Sequence, residues 1–408
     1  MAAEVVIVGG GVSGVTTGIV LQLLGYQTRL LCQYWIGDTL DAVRHDASEP
    51  RFASQYAAAS VIPHNAAITD ESWHLQTSLR FFEALRSRGD AGVRTQRHYE
   101  VFEWPQLVAS YAEAMLGYRV LPVNGEGECG VPRRADGVPV YGWSFQTYFA
   151  DMPRYCAFLS GLYRGLGGEL EKTGFCDVDT LMAIRASVIV NCGGAWGRTL
   201  WGDACSSRYV RGILVRAHAG DMPRNRTTGE ICSYNYHPAP SVYCRSGGRP
   251  ADVYFYPRSD GWILGGTRLE STELSDSEDS NVRPVWHGET WQGPVIRLPR
   301  DGSGDSAELA VPEPMLMLNR ELIRRLTGID LKDTRLTAME GFRHQRQTVR
   351  LELETQHGRP VVHNYGHGGA GITLSWSCAI RVAELVGDHV GACADLRHIE
   401  AKVRAGLA

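Results

Sequence analysis

A glycine-rich hexapeptide near the start of the chain carries the clearest chemical signal in the sequence. Its residues match the pattern G-x-G-x-x-G. In this pattern the first glycine allows a tight turn, the second lets the backbone approach a pyrophosphate, and the third lets a helix pack closely on a strand. N–H groups at the start of that helix then stabilise the phosphate charge. We therefore predict a dinucleotide-binding site that includes Gly9, Gly11, Val12, Ser13 and Gly14.

The segments around this hexapeptide predict a βαβ unit. The valine-rich run Glu4–Val8 is typical of a buried strand. A helix is expected over Ser13–Leu24, with Gly25 as its C-cap, and Thr28–Leu31 is the next predicted strand. An acidic residue usually follows that strand and binds the ribose. Gln33 stands there instead, and its amide either bonds a ribose hydroxyl or is simply solvated.

Two more strand–glycine–helix junctions are predicted, after Ala186–Asn191 and after Val361–Asn364. Between the junctions lie two segments with strand patterns, Tyr209–His218 and Val253–Thr267, and two that look irregular, Gly220–Pro250 and Glu270–Glu313. We expect an α/β fold, with a Rossmann-like nucleotide-binding domain made of discontinuous segments and an antiparallel-sheet domain inserted between them.

Composition limits the classes of partner. The 408 residues include 41 Lys plus Arg against 45 Asp plus Glu, with no long basic run, so we expect neither nucleic acid nor a membrane surface as partner. The 46 glycines form no repeat and are expected where the backbone needs close approach. The ten cysteines show no CxxC spacing, which favours reduced thiols and no metal site. The N-terminal stretch is neither a signal peptide nor a membrane span, and we expect a cytoplasmic protein.

Four later segments establish a resemblance to a known family. They are Val188–Trp196, Tyr254–Thr267, Gly341–Glu352 and Val362–Thr373. In this order they resemble the D-amino-acid oxidase family of FAD-dependent flavoproteins. The most specific part is the run His363-Asn364-Tyr365-Gly366-His367-Gly368-Gly369, and the match covers both ends of the chain and most of its middle.

The resemblance implies a reaction and a division of the chain. It implies FAD as cofactor and oxidation of the Cα–N bond of a D-amino acid, which gives an imino acid or 2-oxo acid, ammonia and, from O2, hydrogen peroxide. Residues 1–57, 142–209 and 340–408 would form the FAD-binding domain, and residues 58–141 and 210–339 the substrate-binding domain. The assembly is left open, with a homodimer as one option.

Arg343, Tyr254 and Tyr256 are the substrate-binding and catalytic candidates. The resemblance aligns Arg343 with an arginine that holds the substrate carboxylate, and a planar guanidinium suits that role because it binds a carboxylate through two N–H groups. The alternative for Arg343 is a salt bridge to Glu340. Tyr254 aligns with a tyrosine that helps to bind the carboxylate, and Tyr256 points to the same face of a strand.

A flavin ring also needs close backbone approach, which a glycine loop allows, and the following helix would direct its positive end towards the pyrimidine part of the ring. The further residues predicted to contact the cofactor are Ala58, Ala59, Ser60, Gly194, Trp196, Arg343, Gly368, Gly369, Ala370, Gly371, Ile372 and Thr373. We interpret His363 and His367 as structural or flavin-adjacent residues rather than metal ligands, because glycine loops make poor metal sites.

The sequence departs from the family pattern at one position. The family has a second active-site tyrosine four residues before Tyr254, and here that position is Pro250. Tyr234, Tyr236 and Tyr243 are candidates to replace it, and the sequence does not choose among them. This departure concerns the identity of the substrate rather than the type of reaction.

Two other functions stay open. A glycine- or sarcosine-type secondary amine oxidase, or a tailoring enzyme for an unusual amino acid, would use the same kind of site. A non-catalytic nucleotide-binding module or redox sensor would need neither Arg343 nor Tyr254. The sequence shows no Ser/His/Asp arrangement and no paired catalytic carboxylates, which agrees with chemistry carried by a cofactor.

Overall fold

The computed structural model describes residues 4–38, 52–62, 66–123, 130–173, 177–275, 285–301, 307–392 and 395–407. The α-helices in these residues are α1 (Val12–Leu24), α2 (Glu71–Arg88), α3 (Met152–Gly165), α4 (Val178–Ala183), α5 (Gly194–Leu200), α6 (Glu313–Thr327), α7 (Gly371–Val390) and α8 (Leu396–Leu407).

The strands in these residues are β1 (Glu4–Gly10), β2 (Gln27–Trp35), β3 (Val93–Phe102), β4 (Leu116–Val120), β5 (Tyr141–Ala150), β6 (Glu169–Lys172), β7 (Val188–Asn191), β8 (Ser207–Ala217), β9 (Cys232–His237), β10 (Val253–Arg258), β11 (Gly261–Gly265), β12 (Leu269–Ser271), β13 (Leu274–Ser275), β14 (Val285–Trp286), β15 (Val295–Pro299), β16 (Glu308–Pro312), β17 (Leu336–Gln356) and β18 (Arg359–His367).

Fourteen of these strands form one continuous sheet. Its order is β4-β5-β3-β9-β10-β11-β8-β17-β18-β7-β1-β2-β6, and β12 pairs with β8. The pairs from β18 to β6 are parallel. The pairs on the other side are antiparallel except β3 with β9, which is parallel. The predicted α/β class is confirmed, and the two predicted sheets are halves of one sheet.

Helices cover both faces of the parallel half. On one face α1, α2, α3, α7 and α8 share a core, in which the rings of Phe81 and Trp376 stack with centroids 5.3 Å apart. On the other face Leu181 and Trp201 pack beside α4 and α5. Because both faces are covered, the central strand β1 carries a run of buried apolar residues, Val5–Val8, whereas the edge strand β6 is polar and largely exposed.

The predicted βαβ unit is confirmed, and Gly25 ends α1 with φ of +101°. Inside the glycine motif, Gly9 has φ of +112°, which favours glycine. A Cβ atom on Gly14 would overlap the carbonyl oxygen of Gly9, so helix and loop touch at this point. The glycine motif is therefore a packing device as well as a loop that a ligand can approach.

One strand joins the two halves. Over Leu336–Arg346, β17 pairs with β8 of the antiparallel half. Gln345 and the segment 350–356 pair with β18, which leads into the glycine loop. Gln345 is the register partner of His367. Arg343 therefore lies two residues from the point where the strand meets the glycine loop.

Two interpretations of the sequence were wrong, and one stays a prediction. Glu270–Glu313 is not wholly irregular, because the paired strands β13 with β14 and β15 with β16 lie inside it. Gly220–Pro250 is not wholly irregular, because β9 lies inside it and is held between β3 and β10. The domain division stays a prediction. The structure adds that residues 142, 209 and 340 lie within β5, β8 and β17, and that α2 packs with the helices of the parallel half.

We expect Gly14→Ala to lower the free energy of unfolding by about 2 kcal/mol, because the new methyl group would overlap backbone that cannot move independently. Urea-induced unfolding measures this change. Gly161→Ala is the matched control, because no heavy atom lies within 4 Å of a Cβ at this position in α3. It should raise the free energy of unfolding by about 0.5 to 1 kcal/mol. Equal effects of both substitutions would contradict the packing role of Gly14.

Candidate active site

A cavity lies where the two halves of the sheet meet. Two helix starts, the segment at residues 53–60 and strands of the antiparallel half surround it. The predicted site residues that line it are Val12, Ala58, Ala59, Ser60, Tyr254, Tyr256, Arg343, Gly368, Gly369, Gly371, Ile372 and Thr373. The cavity therefore brings together residues from the first and the last glycine motifs of the chain.

Other predicted cofactor residues lie outside this lining. Gly9, Gly11, Ser13 and Gly14 belong to the turn and first helical residues that lead from β1 into α1. Gln33 is exposed on β2, and Gly194 and Trp196 lie on α5. Ala370 is buried beside Val349 and Leu374. Their contacts with a cofactor stay predictions.

Two helices start at the cavity without a side-chain cap. The N-cap residues are Gly11 for α1 and Ala370 for α7; neither supplies a side-chain acceptor, and neither helix has an acidic residue in its first turn. The N–H of Val12 donates to the Ser54 hydroxyl over 3.1 Å, a neutral acceptor. Helix starts of this kind favour negatively charged ligand groups. Two such helix starts at one cavity fit a dinucleotide, because one can face a pyrophosphate and the other an electron-accepting ring.

Ser60 supplies a second test of the fit. Its side chain is only 9% exposed, it lines the cavity, and its hydroxyl has no hydrogen-bond partner among the described residues. A buried hydroxyl is normally hydrogen-bonded in a folded protein. The residues present therefore fit a polar ligand that reaches Ser60.

The glycine loop is held in place by its own polar side chains. His363 Nδ1 lies 3.0 Å from the Asn191 amide nitrogen, and His367 Nε2 lies 3.0 Å from the Asn364 side-chain oxygen. Asn364 in turn donates to the Thr17 hydroxyl over 3.2 Å. Both histidines therefore connect the loop to the parallel strands and α1. Among the described residues, no group of three or more His, Cys, Asp or Glu side chains could hold a metal ion.

Arg343 presents a guanidinium without a carboxylate partner in the described part of the chain. Its Nη2 donates to the Tyr254 hydroxyl over 3.3 Å. The alternative partner, Glu340, instead accepts from Arg211 at 2.6 and 2.9 Å and from Arg300 at 2.9 Å. Because Glu340 is taken by other arginines, the charge of Arg343 is left to face the cavity.

The position of Tyr254 is fixed by the backbone beneath its ring. A Cβ atom on Gly265 or Gly266 would overlap this ring, so the ring lies flat on that glycine pair.

The three candidates for the missing loop tyrosine lie outside the lining of the cavity. Their hydroxyls bond to other groups: Tyr234 to Asn319, Tyr236 to Glu103, and Tyr243 to the Gly266 carbonyl.

A second polar wall begins at Tyr256. Its hydroxyl donates to Asn235 Oδ1 over 2.7 Å, and Asn235 Nδ2 donates to Glu100 over 2.7 Å. Glu100 is buried and also lies 3.1 Å from His98 Nε2. Burial, followed by the nearby Glu100 carboxyl, raises the pKa of Tyr256 well above its usual value. Tyr256 is therefore a neutral hydroxyl with a fixed direction.

Arg268 completes this wall and differs from Arg343. Its Nε and Nη2 donate to the two oxygens of Asp252 over 2.6 and 2.8 Å. Burial alone would raise the pKa of Asp252, but the Arg268 guanidinium outweighs it and holds that pKa at about 2. Within the described parts of the chain, Arg268 therefore has an internal counter-charge and Arg343 has none.

Comparison with known proteins agrees with this geometry. The model of the FAD dependent oxidoreductase (DAO) family matches residues 4–385. The chain belongs to this family. It is 29% identical to a D-amino-acid oxidase of Rubrobacter xylanophilus, over 95% of this chain and 97% of that protein. It is 25% identical to the human D-aspartate oxidase, over 96% of each chain.

Solved structures show the same fold at low identity. A glycine oxidase from Bacillus cereus aligns with a TM-score of 0.60 at 15% identity, over 96% of this chain and 98% of that one.

The family match identifies the cofactor. Because the chain belongs to the FAD dependent oxidoreductase family, its cofactor is FAD, and the protein is an FAD-dependent oxidoreductase rather than a non-catalytic nucleotide-binding module. None of the described helices is long and apolar enough to cross a membrane.

Sequence reasoning missed several lining residues. They are Ser54, Tyr56, Gly212, Asn235 and Arg268. Arg268 directly follows the Leu264–Thr267 segment that supports the family resemblance, so its position in the sequence was a usable signal. Asn235 gave no such signal, because its position beside Tyr256 depends on the pairing of β9 with β10.

His344, next to Arg343 on β17, gives a test of the electrostatics. It is 9% exposed, lies between the rings of Tyr209 and Tyr365, and neither ring nitrogen has a hydrogen-bond partner in the described residues. Burial, followed by the charge of Arg198, lowers its pKa to about 4. The folded protein therefore resists protonation of His344, whereas the unfolded chain accepts a proton near pH 6.5.

The contribution of neutral His344 to stability is complete above pH 6.5 and is lost as the pH falls towards 4. We expect His344→Phe to reduce the loss of unfolding free energy between pH 7 and pH 5 by about 2 kcal/mol. Urea-induced unfolding at pH 7 and at pH 5 measures this loss in the parent and in the variant. His398→Gln, at an exposed histidine, is the control and should leave the loss unchanged. The same pH dependence in His344→Phe and the parent would contradict this account.

Proposed function

We propose that the protein oxidises the Cα–N bond of a D-amino acid, giving an imino acid that hydrolyses in water to a 2-oxo acid and ammonia. The observation that carries this proposal is the guanidinium of Arg343, which faces the cavity beside Tyr254 without a carboxylate partner in the described residues. The family and the relative from Rubrobacter xylanophilus support it. When bound, FAD supplies the two-electron oxidation and O2 is reduced to hydrogen peroxide.

Arg343 and Tyr254 provide orientation in this proposal. The guanidinium pairs with the substrate carboxylate through two N–H groups, and the Tyr254 hydroxyl can donate to the same carboxylate. With the carboxylate fixed, the Cα atom has fewer positions open to it in the cavity. Such positioning lowers the barrier because the reacting groups meet without further loss of freedom. No side chain of the cavity needs to act as a strong acid or base.

We propose that the cofactor lies along the two uncapped helix starts. The first, at Gly9–Gly14, would hold the pyrophosphate, with Gln33 near the ribose and Gly194 and Trp196 beside it. Ala58–Ser60 and Gly368–Thr373 would hold the ring, and the unpartnered hydroxyl of Ser60 gives this arrangement a polar contact. Loss of FAD affinity in Ser60→Ala, with unchanged unfolding of the cofactor-free protein, would support it.

A glycine- or sarcosine-type secondary amine oxidase is the second candidate, because the same carboxylate contact suits an N-alkyl amino acid. Anaerobic mixing of the FAD-loaded protein with amino acids distinguishes the two, with loss of flavin absorbance as the signal. The panel contains D-amino acids, their L forms, glycine and sarcosine. Reduction by D-amino acids is expected. Reduction by sarcosine alone would replace the first proposal with the second.

We expect Arg343→Met to raise the KM for the preferred amino acid roughly a hundredfold, because a charged partner of the carboxylate is lost. Arg343→Lys should restore part of the affinity, since the charge remains but the two-point contact does not. Arg335→Met is the matched control, because Arg335 is exposed just before the same strand. An unchanged KM in Arg343→Met would remove Arg343 from the carboxylate site.

A further inference from the structure

The cavity has a second polar end that the proposed reaction does not need. Tyr256, Asn235 and Arg268 line it. We propose that these residues form a side-chain subsite that selects amino acids with a carboxamide side chain, such as asparagine. This inference rests on the proposed function, because it takes Arg343 as the anchor of the substrate carboxylate.

The contacts of Arg343, Tyr254 and Tyr256 indicate where the proposed subsite lies relative to the substrate carboxylate. Arg343 Nη2 lies 3.3 Å from the Tyr254 hydroxyl, and the rings of Tyr254 and Tyr256 have centroids 5.5 Å apart. Both rings line the same cavity. In this proposal, a substrate held by its carboxylate at Arg343 extends its side chain along Tyr254 towards Tyr256. The polar wall stands at the end of that path.

The hydrogen-bonding groups left free on this wall include at least one acceptor and one donor. Tyr256 uses its only hydroxyl hydrogen on Asn235, so its oxygen is left as an acceptor. Arg268 uses Nε and Nη2 on Asp252, and its Nη1 has no partner among the described residues. A carboxamide offers the matching pair, because its carbonyl accepts and its NH2 group donates. A hydrocarbon side chain would leave both protein groups unpaired, which is costly in a buried site.

The charges of the wall disfavour a second carboxylate. The positive charge of Arg268 is already matched by Asp252, with which it forms a two-point contact. Glu100 lies directly behind Asn235 and adds another acidic side chain. An acidic substrate side chain would therefore approach a guanidinium whose charge Asp252 already balances, with the Glu100 carboxyl behind Asn235. A neutral side chain that both donates and accepts fits this charge balance.

Asparagine, aspartate and leucine test the subsite, because their side chains have nearly the same shape. The FAD-loaded protein is mixed anaerobically with each, in the enantiomer that reduces the flavin best. We expect kcat/KM for asparagine to exceed that for both others roughly tenfold or more. Preference for leucine or for aspartate would overturn the subsite.

Binding of molecules that cannot react provides a second readout. Succinamate, succinate and 4-methylpentanoate are the same three compounds without the amino group. Calorimetric titration of the FAD-loaded protein should give a Kd for succinamate roughly tenfold below those of the other two. Equal affinities would show that the polar wall of Tyr256, Asn235 and Arg268 does not discriminate between these side chains.

Two substitutions separate the donor, acceptor and charge arguments. Tyr256→Phe removes the acceptor without leaving a buried charge, and the asparagine-to-leucine ratio of kcat/KM should fall roughly tenfold. Asp252→Asn frees the charge of Arg268, and the aspartate-to-asparagine ratio should rise roughly tenfold or more. Because each readout is a ratio, a general loss of activity cancels.

Asp90→Asn is the matched control for charge removal. Asp90 also forms a two-point contact with an arginine, Arg88, but on the protein surface. The Asp90→Asn substitution should therefore leave both ratios of kcat/KM unchanged. Unchanged ratios in Tyr256→Phe and Asp252→Asn would overturn the inference even if the parent prefers asparagine. If no amino acid reduces the flavin, the proposed function itself fails. If amino acids reduce it without preference for asparagine, only the subsite fails.

Discussion

The pairing of β17 with both of its neighbours is the constraint on which the candidate active site depends. A single strand of 21 residues is bonded to β8 on one side and to β18 on the other. Arg343 lies in the part bonded to β8, and Gln345 pairs with His367 at the start of the glycine loop. A shift of this register by one residue would turn Arg343 to the opposite face of the sheet. The sheet therefore sets the distance between the substrate anchor and the cofactor loop.

The two arginines of the cavity show how the environment gives one residue type two roles. Arg268 has its charge balanced by a buried carboxylate, so it offers direction rather than net charge. Arg343 has only the Tyr254 hydroxyl beside it in the described residues, so it keeps its charge for a ligand. A substrate with a carboxylate at one end is thereby oriented, because exchanging its ends would place its charge against a pair that is already neutral.

Local signals in the sequence predicted the parts of the site that depend on local structure. The glycine motif, the C-cap at Gly25 and the shared face of Tyr254 and Tyr256 follow from the geometry of one turn, one helix end and one strand. The family resemblance added Arg343. The polar wall was missed because Glu100 and Asn235 are register partners from strands that are distant in sequence. The sequence also left open whether Glu340 pairs with Arg343, because its actual partners, Arg211 and Arg300, come from two other segments.

The two uncapped helix starts have a consequence for the protein before it acquires its cofactor. The starts of α1 and α7, which no N-cap side chain satisfies, and the Ser60 hydroxyl, which has no partner among the described residues, give the cofactor-free chain polar groups that a bound dinucleotide would satisfy. A ligand present at a hundred times its Kd adds about 2.7 kcal/mol to the stability of the folded state. When flavin is scarce, a larger share of newly made chains would therefore be open to proteolysis. The amount of this enzyme in a cell would then follow the flavin supply as well as gene expression.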